Sequence, residues 1–314
     1  MDLIAMCKQA HLHVNEIKTR ITNYSNIHIK DYFDYTPFHY ICENSSYSSQ
    51  EVYNDLVTFF IVNGASLNSI NWFGESPFYF MCNNIHVSIK LIKLAYEHNA
   101  DIHYKTSDNT NILHSICHNY LADINLVNYV MTLGGYKYIN SKDNDNNTPL
   151  HYICQNQNLL NIPFISLFMD DINTKNKYGN TPFSYLCSNW SISYSTLKYF
   201  ISNGANTEVQ NYYGSIPFHY LCKNHKVTFK MLKTFLNIYN INYKNSDNIT
   251  PLHLLMENSH VSDKIVKKTL KYASINTLKD MTNSATIPHK RKLYVYLETI
   301  ETIIVDDTMP FMFY

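Results

Sequence analysis

Histidine and cysteine recur three residues apart at His39/Cys42, His114/Cys117, His151/Cys154 and His219/Cys222. On a helix that spacing puts imidazole and thiol on one face, which is the donor chemistry of a zinc site or of a general base beside its nucleophile. A catalytic pair occurs once in a chain, whereas this one returns with a regular period. Tetrahedral zinc also needs four converging ligands, and helices packed side by side hold equivalent residues about 8 to 10 Å apart. Bridged cysteines must bring their Cα atoms within about 7 Å, so the same spacing argues against disulfides and predicts reduced thiols throughout. No metal, cofactor or catalytic residue is expected.

The elements that position these pairs are repeats. Thr36-Pro-Phe-His-Tyr-Ile-Cys42, Ser76-Pro-Phe-Tyr-Phe-Met-Cys82, Asn111-Ile-Leu-His-Ser-Ile-Cys117, Thr148-Pro-Leu-His-Tyr-Ile-Cys154, Thr181-Pro-Phe-Ser-Tyr-Leu-Cys187, Ile216-Pro-Phe-His-Tyr-Leu-Cys222 and Thr250-Pro-Leu-His-Leu-Leu-Met256 are copies of one heptapeptide. Their last residues are spaced by 40, 35, 37, 33, 35 and 34 positions, and Cys7 stands 35 before Cys42 in a degraded first copy, which makes eight units.

Each unit has a physical reading. Thr or Ser before Pro starts a helix, the hydroxyl capping a free N–H and proline standing where its missing N–H costs nothing. Asn44, Asn84, Asn119, Asn156, Asn189, Asn224 and Asn258 follow the motif two residues on. Asparagine tolerates the left-handed conformation that ends a helix, so the first helix is expected to run roughly eight or nine residues. Apolar pairs four apart, such as Leu126-Val127 with Val130-Met131 and Met231-Leu232 with Phe235-Leu236, then mark a second helix. Asn63-Gly64-Ala65, Gly134-Gly135 and Asn203-Gly204-Ala205 end it. A polar turn completes the unit, with Asp34, Gly74, Asn109, Asn146, Gly179, Gly214 or Asn248 two residues before the motif, where a positive φ is required.

Helix, turn, helix and β-turn in ~33 residues with Thr-Pro-Leu-His opening the first helix resembles the ankyrin repeat. The resemblance implies an all-α solenoid of about eight helix-turn-helix units joined by β-turn fingers over residues 1–276, the degraded first unit serving as N-terminal cap. It implies that each motif histidine bonds neighbouring backbone or the capping threonine, and that each cysteine fills a small core slot. The sequence departs from the family's alanines after the histidine, from Thr-Pro at Asn111-Ile112, and in an insertion around Ser45 to Glu51. Residues 277–314 read as a C-terminal capping helix, Arg291 to Val305 with Leu293, Leu297, Ile300 and Ile304 on one stripe, followed by the apolar tail Met309 to Tyr314. Those ~30 residues are too few for an F-box.

Lys plus Arg and Asp plus Glu are 25 each, a balance that argues against nucleic acid or a polybasic membrane contact as partner. With 45% hydrophobic residues the chain is a folded one, and no apolar run approaches the ~18 residues of a membrane span. An N-terminus that soon reaches Lys8 and an odd count of 7 cysteines fit a cytoplasmic or nuclear protein, read as a monomer. Gly-x-x-x-x-Gly-Lys, Gly-x-Gly-x-x-Gly, His-Glu-x-x-His and Gly-x-Ser-x-Gly are all missing.

The turn tips carry the functional signal. They are Tyr32-Phe33, Trp72-Phe73, Ser107-Asp108, Asn144-Asp145, Lys177-Tyr178, Tyr212-Tyr213 and Ser246-Asp247. Packing does not require aromatics on a solvated tip, and the resemblance places these tips on a concave binding face. Tyr32, Phe33, Trp72, Phe73, Tyr178, Tyr212 and Tyr213 are therefore the expected contacts to a protein partner. Tyr40, Phe80, Tyr152, Tyr185 and Tyr220 are expected to lid the core with only their hydroxyls exposed. The expected function is a non-enzymatic protein-interaction module or scaffold. The alternatives are a substrate-receptor subunit of an assembly such as a ubiquitin ligase and, in another class, a metal- or Cys/His-dependent enzyme.

Overall fold

The structure, a computed structural model, describes residues 2–21, 24–236, 241–274 and 277–278. The expected C-terminal helix and apolar tail lie outside the described residues. The chain divides into two compact units, Met1–Thr174 and Lys175–Tyr314, and among the described residues all regular structure is helical.

In the first unit, α1 (Leu3–Lys8), α2 (Ala10–Arg20) and α3 (Tyr24–Ile27) precede the pairs α4 (Pro37–Glu43) with α5 (Gln50–Val62), α6 (Pro77–Asn83) with α7 (Ile89–Glu97), and α8 (Ile112–His118) with α9 (Ile124–Thr132). The last pair is α10 (Pro149–Gln155) with α11 (Ile162–Ile165), which tightens into a 3-10 turn over Ser166–Asp171. The second unit holds α12 (Pro182–Ser188) with α13 (Tyr194–Ser202), α14 (Pro217–Lys223) with α15 (Phe229–Leu236), and α16 (Pro251–Glu257) with α17 (Asp263–Leu270). Within each unit, first helices pack on first helices and second on second, which is the stacking that buries a face no single repeat could cover.

Local chemistry sets every boundary. Ser76, Thr181 and Thr250 cap their helices, and Asn111 does the same work without a hydroxyl, its side chain accepting from the amides of Leu113 and His114. Ser49, Ser88, Asp123 and Ser193 cap the second helices. The turn residues Asp34, Gly74, Asn109, Asn146, Gly179, Gly214 and Asn248 all have positive φ, as expected. At Gly179 a β-carbon would also stand 2.9 Å from Cα of Asn211, so the next finger leaves no room for a side chain.

The asparagines that follow the motif correct the sequence reading. All seven are extended, with φ between −65° and −81°, and the first helices are seven residues long. Each side-chain oxygen instead accepts the amide two residues on, as Asn119 does from Leu121 and Asn224 from Lys226. At Asn84, Asn119, Asn156, Asn224 and Asn258 the side-chain nitrogen reaches a repeat back. Asn84 donates to the carbonyls of Cys42 and Asn44, Asn119 to Cys82 and Asn84, and Asn156 to Cys117 and Asn119. In the second unit Asn224 donates to Cys187 and Asn189, and Asn258 to Cys222 and Asn224. The cysteine carbonyls are orphans of a helix end that the ladder pairs where water is excluded, while the carbonyls of Asn84, Asn119, Asn189 and Asn224 also accept the amide three residues on.

The cores are dense with aromatics. Phe38 stacks on Phe60 at 5.4 Å in the first unit, and Phe183, Phe200, Phe218 and Phe235 stack at 4.9 to 6.1 Å in the second. Each is fully buried, worth roughly 1.5 to 3 kcal/mol of transfer free energy apiece.

Candidate partner-binding surface

The histidines and cysteines are structural where the structure describes their contacts. Nδ1 of His39 accepts the Thr36 amide at 2.9 Å, which leaves the proton on Nε2 to donate to the carbonyls of Ser69 and Glu75 at 3.0 and 3.2 Å. His114 makes the same bridge to Ser141 and Asn147, and His219 to Ile249. The imidazole thus ties α4, α8 and α14 to the next finger. Burial drives the His39 pKa down to about 4 and lowers those of His114 and His219. All seven thiols are buried and unbridged. Burial pushes Cys7 up to about 12 and raises Cys42, Cys82, Cys117, Cys187 and Cys222 as well, the opposite of an activated nucleophile. Among the described residues no three His, Cys, Asp or Glu side chains converge as metal ligands.

The fingers are rigid by construction. One side chain at the root of each finger accepts the turn's own amides: Asp31 those of Phe33 and Tyr35, Asn71 those of Phe73 and Glu75, Asn176 those of Tyr178 and Asn180, Asn211 those of Tyr213 and Ser215. The same side chain meets the seam tyrosine nine residues on. The Tyr40 hydroxyl donates to Asp31, Tyr152 donates to Asp143 at 2.5 Å, and Asn211 donates to the Tyr220 oxygen at 2.7 Å. Burial alone would raise the Asp31 carboxyl, but the Tyr40 hydroxyl and the Phe33 and Tyr35 amides outweigh it and hold the group below its ordinary range. The seam tyrosines are therefore half-buried braces between finger and helix, with hydroxyls engaged rather than exposed.

Neighbouring fingers are stitched through their tips. The Trp72 amide donates to Phe33 O at 3.1 Å, Asn144 to Asp108 O at 2.9 Å, Tyr212 to Tyr178 O at 3.0 Å and Ser246 to Tyr213 O at 3.0 Å, while the Ser107 hydroxyl donates to Phe73 O.

On this frame Tyr32, Phe33, Trp72, Phe73, Tyr178, Tyr212 and Tyr213 all stand exposed, from 42% for Tyr178 to 76% for Tyr32. In the first unit four rings form one cluster: Trp72 lies 5.0 Å from Tyr32 and 5.6 Å from Phe33, which lies 6.4 Å from Phe73. In the second unit Lys177 sits over the ring of Tyr178 at 5.2 Å.

A family model of ankyrin repeats, in three copies, matches residues 120–211. The matched stretch is a run of ankyrin repeats. The same heptapeptide, caps and finger geometry continue on both sides of the matched stretch, so the ankyrin architecture extends through the described repeats of each unit. None of the curated proteins matches the chain. No helix among the described residues is long and apolar enough to cross a membrane.

The sequence reading missed a second set of exposed apolar residues. Tyr120, Leu121 and Trp190 are 51 to 63% exposed, directly after the ladder asparagines Asn119 and Asn189. Tyr120 and Trp190 both stand three residues after the motif cysteine, and that shared position was the available signal. It also missed a cavity of about 20 Å³ in the first unit, lined by Ser76, Phe78, Tyr79, Tyr104, Thr110 and Ser115 among others.

Proposed function

We propose that the chain is a non-enzymatic protein-interaction module that holds its partner on the finger tips and the adjoining face of the first helices. Ankyrin repeats are in general protein-binding modules. One observation supports the finer reading: seven aromatic side chains stand exposed on fingers that backbone bonds, root side chains and imidazole bridges already hold rigid. Aromatics on a preformed frame lose little entropy on binding, and Tyr and Trp dominate interface energies. The measurement is the affinity of a partner identified by crosslinking from photoactivatable residues at the tips. Trp72→Ala with Phe73→Ala, or Tyr212→Ala with Tyr213→Ala, is expected to weaken binding by at least ~2 kcal/mol, roughly thirtyfold, with helical content intact. Unchanged affinity in both variants would place the interface elsewhere.

A further inference from the structure

The partner's chemistry can be read from the charges around the tips, an inference that rests on the tips being the interface. Formal charge is zero for the whole chain but not for its fingers and first helices. In the first unit the stretches 30–44, 70–84, 105–119 and 142–156 carry Lys30, Lys105 and Lys142 against seven carboxylates: Asp31, Asp34, Glu43, Glu75, Asp108, Asp143 and Asp145. The corresponding stretches of the second unit, 175–189, 210–224 and 244–258, carry four lysines against two carboxylates.

At the edge of the first unit, lysines already pair with two of these carboxylates, Lys8 with Asp31 at 3.8 Å and Lys30 with Asp34 at 3.4 Å. Glu43, Glu75 and Asp108 have no cationic side chain within ion-pair distance among the described residues. Glu75 and Asp108 stand beside the aromatic cluster, and Glu43, at the end of α4, lies within range of the Glu75 charge. Glu75 follows Phe73 by two residues and is held at the finger root by the Asn71 amide at 3.0 Å, and the tip carrying Asp108 is bonded to Phe73 through Ser107. The carboxylates also sense one another: partial burial and then the Glu75 charge push Glu43 up, and burial followed by Glu43 and Glu75 takes Tyr35 to about 12. Burial, then Glu75, and more weakly Asp108, raise Tyr79. Mutual repulsion of this kind is relieved by an incoming cation, and the outward faces of Tyr32 and Trp72 attract the same charge.

We propose that this acidic and aromatic face of the first unit binds a basic segment of a partner protein, an extended stretch whose arginine or lysine side chains lie over the Tyr32–Phe33–Trp72–Phe73 cluster and meet Glu43 and Glu75. The second unit has aromatic tips without the acids, and its Lys177 already covers Tyr178. Specificity for a cationic segment belongs to the first unit alone.

Trp72 is its own reporter once the other tryptophan, Trp190, is replaced by Phe in the full chain. The probe is a synthetic peptide of repeating Gly-Ser-Arg units, about twelve residues, long enough at ~3.3 Å per residue to span the fingers of one unit. Low salt should give a saturable change in Trp72 emission, while Gly-Ser-Gln and Gly-Ser-Glu peptides of equal length give none. Glu43→Gln with Glu75→Gln, which keeps the acceptor for Asn71, should raise Kd at least about tenfold with an unchanged melting temperature. Glu51→Gln with Glu97→Gln, which removes the same charge from the exposed second helices α5 and α7, should leave it unaltered. Equal response to the Gln peptide, indifference to the double Gln variant, or no response up to about 1 mM Arg peptide overturns the proposal. If the identified partner still depends on Trp72 and Phe73 after such a result, the interface stands and only the basic partner falls. If the Arg peptide binds Tyr32→Ala with Phe33→Ala undiminished, the tip reading itself is wrong.

Discussion

The side-chain amide of Asn119 donates to the carbonyl of Cys82 at 3.2 Å, across a repeat boundary, and its second proton goes to Asn84 O at 2.8 Å. One residue therefore serves two carbonyls at the end of α6, and the next asparagine, Asn156, does the same for Cys117 and Asn119 at the end of α8. Asn119→Ala would leave the Cys82 carbonyl buried and unpaired and Asn84 O with the Val87 amide alone, a loss of about 1 to 3 kcal/mol for the orphaned group. Asn119→Asp should cost at least as much, since a carboxylate faces two carbonyl dipoles and cannot donate to them. Gln157→Ala, on the exposed loop after the next ladder residue, should stay within about 0.5 kcal/mol. Chemical denaturation of the three variants gives the comparison; equal values for Asn119→Ala and Gln157→Ala would remove the ladder from the stability account.

The buried imidazoles set the acid limit. A His39 pKa of about 4 in the fold, against 6.5 for the free side chain, means that the unfolded chain binds the extra proton first. Stability is then fully present above about pH 6.5 and falls as the pH drops toward 4, by roughly 3 kcal/mol from His39 alone. His114 and His219, also lowered, act with the same sign. The Asp31 carboxyl, held below its ordinary range, adds a further loss at lower pH. Urea midpoints measured from pH 8 to 4.5 should decline steadily, and His39→Gln should flatten the slope; a midpoint independent of pH over that range contradicts the neutral, bridged imidazole.

Thiol reactivity follows from burial. Native protein should resist iodoacetamide at all seven cysteines and take up label at each after denaturation, with identical mobility before and after reduction. Rapid native labelling of even one cysteine between Cys42 and Cys222 would mean that its repeat opens locally.

The fold was legible because the repeat's start and stop signals are covalent in character: proline at the first turn, a hydroxyl before it, glycine or Asx at positive φ. The histidine role came through the ankyrin resemblance, which implies an imidazole bonded to neighbouring backbone or to the capping threonine, as His39 is to Thr36. The asparagine ladder did not, because the same residue type can end a helix through its backbone or pair a distant carbonyl through its side chain. Only the stacking distance decides between them. Tip exposure at Trp72 could be inferred, but the company of Glu43 could not. Glu43 lies on a helix end, 32 residues before Glu75, and the two meet only when α4 and α6 pack together.

The cavity of about 20 Å³ beside Tyr79 has a sequence cause that yields the last prediction. Tyr79 occupies the motif position where His39 and His114 stand, and its lining neighbours Ser76, Tyr104 and Thr110 correspond to Thr36, Ser69 and Glu75, the partners of His39. Tyrosine is too long for the imidazole's place between helix and finger. Its ring lies edge-on to Phe80 at 5.6 Å, and the space behind is left to the Ser115 hydroxyl, which is buried without a hydrogen-bond partner. The volume suffices for about one water and no more. Tyr79→His should restore the bridge, with Nδ1 accepting the Ser76 amide and Nε2 reaching the carbonyls of the next finger. A gain of about 1 kcal/mol is expected from those bonds, set against the lost contact with Phe80. Tyr79→Phe, which keeps the ring and adds no donor, should give none. If Tyr79→His unfolds at lower urea than Tyr79→Phe, the cavity is not the empty place of an imidazole.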